Sequence, residues 1–268
     1  MRVRVTFSVK NKGVATPFHH QYLISQVIKG LVLFSGVEKY NPFDLYSFSG
    51  LKGQTRVSRT GLHYTSKFVT IVFSSPSREF LTFLISEIFK QEQLEIGQLQ
   101  LIPERVDEEI APELSSEMKF ICISPLVALQ PVFNSDAGKV FIDPTTDDFS
   151  DLVYESTIKR MESAGINIGK IKDIESFQLV PDEHYIRKMH ENQKKFARIY
   201  PLFDQDVKFE IRGYTFPFTL YAPKEVQAFV YTCGLGAFTQ KGFGLLDIAN
   251  SDPIKRSVPF EYEQLATA

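Results

Sequence analysis

The densest run of chemically useful residues is Gly234-Leu235-Gly236-Ala237-Phe238-Thr239-Gln240-Lys241-Gly242-Phe243-Gly244, with four glycines and one lysine in eleven residues. Glycines let a backbone approach a large anion closely, amide N–H groups in such a loop can form a concave nest, and Lys241 adds a point charge. Val226, Phe229, Val230 and Cys233 mark the apolar face of a helix before the loop; Leu245, Leu246 and Ile248 suit a buried strand after it. A dinucleotide site needs strand, loop, helix, so that the pyrophosphate rests on a helix N-terminus. The reversed order here argues against NAD. The phosphate loop of nucleotide hydrolases fails for the same reason and lacks its Lys-Ser or Lys-Thr pair. The helix dipole does not help, because its negative end faces the loop. The competing reading is that the glycines serve only as a helix C-cap and a tight turn.

Two further clusters bring cations together. Lys52, Arg56 and Arg59 lie on and around an expected hairpin, where they either line a binding face with the glycine loop or form a solvated strand face. From His184 to Tyr200, basic residues including Arg187, Lys188, Lys194, Lys195 and Arg198 alternate with Tyr185, Phe196 and Tyr200. Rings that stack on bases, interleaved with phosphate partners, suit single-stranded or hairpin RNA, and equally an exposed loop or amphipathic edge. Thirty basic against thirty-two acidic residues give a net charge of -2, so a uniformly basic coat is ruled out and any anion site is local.

These residues need a scaffold, and 268 residues with 43% hydrophobic content can build two ordinary domains. Cys122 and Cys233 stand far apart with no Cys-x-x-Cys pair, which disfavours a zinc knuckle or disulfide framework and fits a reducing, cytoplasmic compartment. The chain reads as soluble and unprocessed, with no membrane span. Alternation over 2–9 predicts a strand, and Leu23, Val27, Ile28 and Leu31 predict a helix over 19–33. A short strand near 45–49, a hairpin over 55–73, a helix over 78–90 and a strand over 99–105 complete a βαββαβ order, the ferredoxin-like plan. An acidic stretch over 107–117 reads as a linker. The order then repeats: strand 120–124, helix 147–164, a hairpin of 207–214 with 216–221, helix 224–233 and strand 244–248. The expected fold is α+β, two tandem ferredoxin-like domains, 1–108 and 118–268, with the glycine loop at 234–244.

On this plan, Gly-x-Gly, five residues that include a lysine, then Gly-x-Gly resembles the C-terminal loop of the CRISPR-associated repeat-processing endoribonucleases. Pro17-Phe18-His19-His20-Gln21-Tyr22 is similar to that family's entry into the first helix, and Phe120-Ile121-Cys122-Ile123-Ser124-Pro125-Leu126 to the strand opening its second domain. The resemblance implies metal-free cleavage of precursor CRISPR RNA by the substrate's own 2′-OH, giving a 2′,3′-cyclic phosphate and a mature guide. It implies CRISPR repeat RNA as partner, with an effector complex and a homodimer as further candidates, and no cofactor. It also implies RNA contacts at Gly234, Gly236, Lys241, Gly242 and Gly244. The family places a catalytic histidine in or just after the first helix, whereas no histidine lies between Gln21 and Leu62. Three readings stay open: His20 or His19 acts, a Lys and Tyr set such as Lys29 and Tyr40 replaces histidine, or the chain binds RNA with slow or no cleavage. His20 reads equally as a satisfied core residue, and His63 as part of a hairpin.

Overall fold

The computed structural model describes residues 1–129, 142–204 and 207–261, and the chain divides into two compact units. The first comprises Met1–Ala111, Gln240–Gly242 and the segment from Asp252 onward; the second comprises Pro112–Thr239 and Phe243–Ser251.

In the first unit, β1 (Arg2–Val9) is the central strand. Its odd residues Val3, Val5, Phe7 and Val9 are buried, as the alternation requires. They pack in one core with Ile24, Ile28 and Val32 of helix α1 (His20–Phe34) and Phe80, Leu81, Leu84 and Ile88 of helix α2 (Arg78–Phe89). Ser77 caps α2 by accepting the Phe80 N–H at 3.1 Å. Between the helices come β2 (Ala15–Thr16), β3 (Ser47–Phe48), β4 (Thr55–Val57), β5 (Leu62–Tyr64) and β6 (Phe68–Ser74); β7 (Leu94–Ile96) and β8 (Leu99–Glu109) follow α2. The main sheet runs Ser257–Pro259, β8, β1, β6, β3, with β7 paired to β8. Strands β1, β3, β6 and β8 thus hold the ferredoxin-like order 4-1-3-2.

Two expectations change here. The hairpin expected over 55–73 is shorter, pairing β4 with β5 in a separate sheet with β2. The run 68–74 belongs instead to the main sheet, paired between β1 and β3 with Val69, Ile71, Val72 and Phe73 buried. The acidic stretch expected as a linker from 107 begins as strand: β8 continues to Glu109, which is buried and receives Arg4 at 2.5 Å and Arg2 at 3.8 Å.

The second unit repeats the plan. Strand β9 (Glu117–Cys122) is followed by α3 (Asp147–Ser163), β10 (Gln178–Pro181), α4 (Glu183–Glu191), the ribbon β11 (Ala197–Asp204) with β12 (Val207–Tyr214), β13 (Pro217–Tyr221), α5 (Lys224–Cys233) and β14 (Leu246–Ile248). The sheet order is β10-β13-β9-β14, again ferredoxin-like, and Phe120, Phe149, Val153, Phe218, Val226 and Val230 form its core. The expected hairpin of 207–214 with 216–221 is not the sheet's own. β13 pairs with β10, and β12 pairs with β11 as an inserted ribbon. The aromatic run on both sides of Thr215 hides this change of partner. After β14 the chain returns to the first unit, where Ser257–Pro259 pairs with β8.

Glu109→Ala is expected to lower stability by about 3 kcal/mol, because it leaves Arg4 and the buried Arg2 without their carboxylate. Urea unfolding of wild type and variant checks this, and equal midpoints would refute it.

Candidate nucleic-acid interface

The glycine loop begins where α5 ends, with its last carbonyls pointing into the loop. Arg160, near the end of α3, collects them: its guanidinium donates to the carbonyls of Cys233 at 2.6 Å, Gly234 at 2.8 Å and Gly236 at 3.4 Å, and lies 5.4 Å over the Phe229 ring. A planar fork with several N–H groups suits several carbonyls at once, and a cation at a helix C-terminus opposes the dipole. Sequence reasoning missed Arg160, because nothing at its position marks it apart from other charges on a helix face.

Three of the loop amides are already bonded to backbone carbonyls. The Leu235 N–H donates to Gly244 O at 2.8 Å, Ala237 N–H to Val127 O at 2.9 Å, and Gly244 N–H to Pro125 O at 2.7 Å. The glycines answer a packing demand. Gly244 has φ +67, and a Cβ there would drive into the Leu235 carbonyl; Gly242 has φ +86, and a Cβ would strike the Phe48 ring within the first unit. Gly234 and Gly236 also have positive φ. Lys241, half-buried in a short 3-10 turn, is the loop's one cation.

His20, expected as a catalytic candidate, is held as a structural residue. The residue is 5% exposed. Nδ1 lies 3.0 Å from the Pro17 carbonyl, and Nε2 accepts the Leu51 N–H at 3.0 Å, so both nitrogens are spent on backbone. Burial, reinforced by the charges of Lys52 and His19 and opposed by the Pro17 bond, pushes its pKa down to about 4. Lys29 is exposed nine residues further along α1. Nine residues are about 13 Å of rise and about half a turn in angle, so Lys29 and His20 lie on opposite faces and cannot share one phosphate. Tyr40 is buried, its ring 4.5 Å from Phe83 and 5.4 Å from Phe80. Burial pushes its hydroxyl pKa up, and Lys39 bonds to Glu79 beside it. The three residues are not brought together.

The basic clusters stand partly on regular elements: Arg56 in β4, Arg187 and Lys188 in α4, and Arg198 in β11. Lys52, Arg56 and Arg59 are exposed in the first unit, Arg56 within β4. The stretch from His184 begins as an amphipathic edge rather than a loop. It is helix α4, capped by Asp182 accepting the Tyr185 N–H at 2.8 Å and anchored by buried Ile186, with Arg187 and Lys188 exposed. Arg187 and His190 line a cavity of about 470 Å³ with Thr145, Thr146 and Gln178. Among the described residues, no helix is long and apolar enough to cross a membrane.

Comparison with known proteins adds to this geometry. The family model for the CRISPR associated protein Cas6, C-terminal, matches residues 107–248, over half of the chain and including the whole glycine loop. A curated relative from Pyrococcus furiosus, named as a CRISPR-associated endoribonuclease-like protein Cas6 with the nuclease only as a likeness, is 22% identical over 257 residues, covering 92% of this chain and 98% of its own. Among solved structures, one titled an RAMP protein binding different RNA substrates superposes with a TM-score of 0.76 at 20% identity, covering 93% of this chain and 100% of that one. A structure of a Cas6-related gene product from Pyrococcus furiosus gives a TM-score of 0.76 at 20% identity over 94% and 99% of the two chains.

Two outcomes are expected. Arg160→Ala should cost about 2 kcal/mol in urea unfolding, with Arg160→Lys recovering only part, because one ammonium cannot span three carbonyls. Full recovery by lysine would contradict the fork geometry. His20 has a folded pKa below its unfolded value of 6.5, so its contribution is present above pH 6.5 and is lost as pH falls from 6.5 toward 4. The full shift corresponds to about 3 kcal/mol. His20→Gln should therefore show a flatter stability profile than wild type across that window; parallel profiles would remove His20 from the acid response.

Proposed function

This chain belongs to the CRISPR-associated Cas6 family, and from that premise we propose that it binds the repeat segment of CRISPR RNA and matures guide RNA by metal-independent cleavage. The single observation that carries the reading is the family match across 107–248, which takes in the glycine loop and the arginine that holds its backbone. Two tandem ferredoxin-like sheets and exposed cations on β4 and α4 support it. In the reaction, the ribose 2′-OH loses its proton and attacks the adjacent phosphorus, the bond to the 5′ oxygen breaks, and a 2′,3′-cyclic phosphate and a 5′-hydroxyl result. The protein's part is to take the first proton and to stabilise charge on the phosphorane.

One observation favours a second reading, binding of repeat RNA without cleavage, alone or within an effector complex. Both nitrogens of His20 are occupied by backbone groups, Lys29 lies on the opposite face of α1, and Tyr40 is enclosed by Phe80 and Phe83. Contact with phosphate falls to exposed side chains and not to the amides of Leu235, Ala237 and Gly244, which are already given to carbonyls.

End-labelled repeat RNA in excess EDTA, with and without a single 2′-deoxy at the cut, separates these readings. Cleavage that survives chelation and stops at the deoxy position is expected; tight binding with intact RNA would favour the second reading, and absence of binding would reject both. Lys188→Ala is expected to weaken RNA of any sequence alike and to lower the slope of log affinity against log salt by about 0.7, as for one lost phosphate contact on a single strand. An unchanged slope would take Lys188 off the RNA path.

A further inference from the structure

The small sheet of β2, β5 and β4 holds a histidine whose surroundings are the reverse of His20's. His63 is the middle residue of β5, directly opposite Arg56 in β4 and Ala15 in β2. Residues directly opposite in an antiparallel pair project from the same face with Cβ atoms about 5 Å apart, so Arg56 and His63 share a face. The His63 Nδ1 lies 2.7 Å from the Gly13 carbonyl, a group that can only accept. In the neutral ring the proton is therefore on Nδ1, and Nε2 keeps its lone pair. That nitrogen is 2.8 Å from the Ser58 hydroxyl.

A proton acceptor fixed by a backbone carbonyl on one side and bonded to a hydroxyl on the other is the arrangement of a base with its substrate oxygen in place. Ser58 is not committed to that nitrogen. Its hydroxyl has the Gly61 carbonyl as another acceptor at 3.3 Å and the Thr60 hydroxyl at 2.8 Å. It can turn away and give its place to another hydroxyl at small cost. The hairpin is also accessible: all three residues of β4 and Arg59 are exposed, and His63 and Ser58 are only half-buried. Gly61 holds the hairpin against β2, where a Cβ would collide with the Thr16 carbonyl.

The geometry points to His63 as the general base of RNA cleavage, with Arg56 and Arg59 as the cations for the phosphorane; this rests on the endoribonuclease reading above. The ribose 2′-OH replaces Ser58 at Nε2 and gives its proton to the ring while the 2′ oxygen bonds to phosphorus. The P–O5′ bond breaks with its electron pair on O5′. That oxygen takes a proton from solvent water, and the imidazolium returns its own proton to the hydroxide formed. No oxidant, metal or second substrate enters the balance.

Single-turnover cleavage of labelled repeat RNA in EDTA, run beside equilibrium binding, tests the assignment. His63→Gln can keep amide contacts to Gly13 and Ser58 but cannot take the proton, and His63→Ala leaves room for imidazole. Both are expected to slow cleavage about 100-fold or more with affinity within about threefold, and added imidazole is expected to restore part of the His63→Ala rate. Wild-type rates in either variant would overturn the assignment while leaving the nuclease reading intact. A loss that imidazole does not restore would make the ring structural and overturn it too. Wild-type protein that binds the RNA and leaves it whole would overturn the nuclease reading, and this assignment with it.

Discussion

A helix that ends in a buried loop must find partners for its last carbonyls, and in the second unit that demand falls on one side chain. Arg160 reaches from α3 to the carbonyls of Cys233, Gly234 and Gly236, stacked over Phe229, and so ties α3 to the end of α5 and the start of the loop. With the carbonyls turned toward Arg160, the amides of Leu235, Ala237 and Gly244 turn to carbonyls elsewhere in the unit. The glycines follow from this crossing of backbone on backbone: Gly244 and Leu235 exchange a hydrogen bond at a separation where no side chain fits.

His20 and His63 show how environment decides what an imidazole can do. Each donates through Nδ1 to a carbonyl three or more residues away, so each presents Nε2. At His20 the partner of Nε2 is a backbone amide that cannot rotate, in a buried site, and the charged ring is disfavoured. At His63 the partner is a rotatable hydroxyl on a half-exposed hairpin. One nitrogen is closed by the fold, and the other is held ready by it.

Elements with strong periodicity were legible from sequence. The alternation of β1, the apolar faces of α1, α2 and α5, and the repeated order of both units follow from residue pattern, since each buries one face in a core. Strand β10 was not legible, because four residues ending in Pro181 carry little pattern and their partner β13 lies 36 or more positions on. The ribbon took β12 away from that sheet for the same reason: partner choice is a long-range fact. Charge misled at Glu109, where an acidic run promised solvent and two arginines made burial possible. At the site, residue types were legible and their company was not. Tyr40 looked available until Phe43, Phe80 and Phe83 enclosed it, and Arg160 looked ordinary until the loop reached it.

The return of the chain to the first unit has a consequence for biosynthesis. Ser257–Pro259 pairs with the outer edge of β8, although the whole second unit is made between them. During translation, β8 therefore emerges with an open edge of unpaired amides and carbonyls while more than a hundred residues follow it. Such an edge is an invitation to wrong partners, and the charges of Glu104, Arg105, Asp107 and Glu108 along it are a means of refusing them until its own strand arrives. The first half of the protein begins its folding early and completes it last.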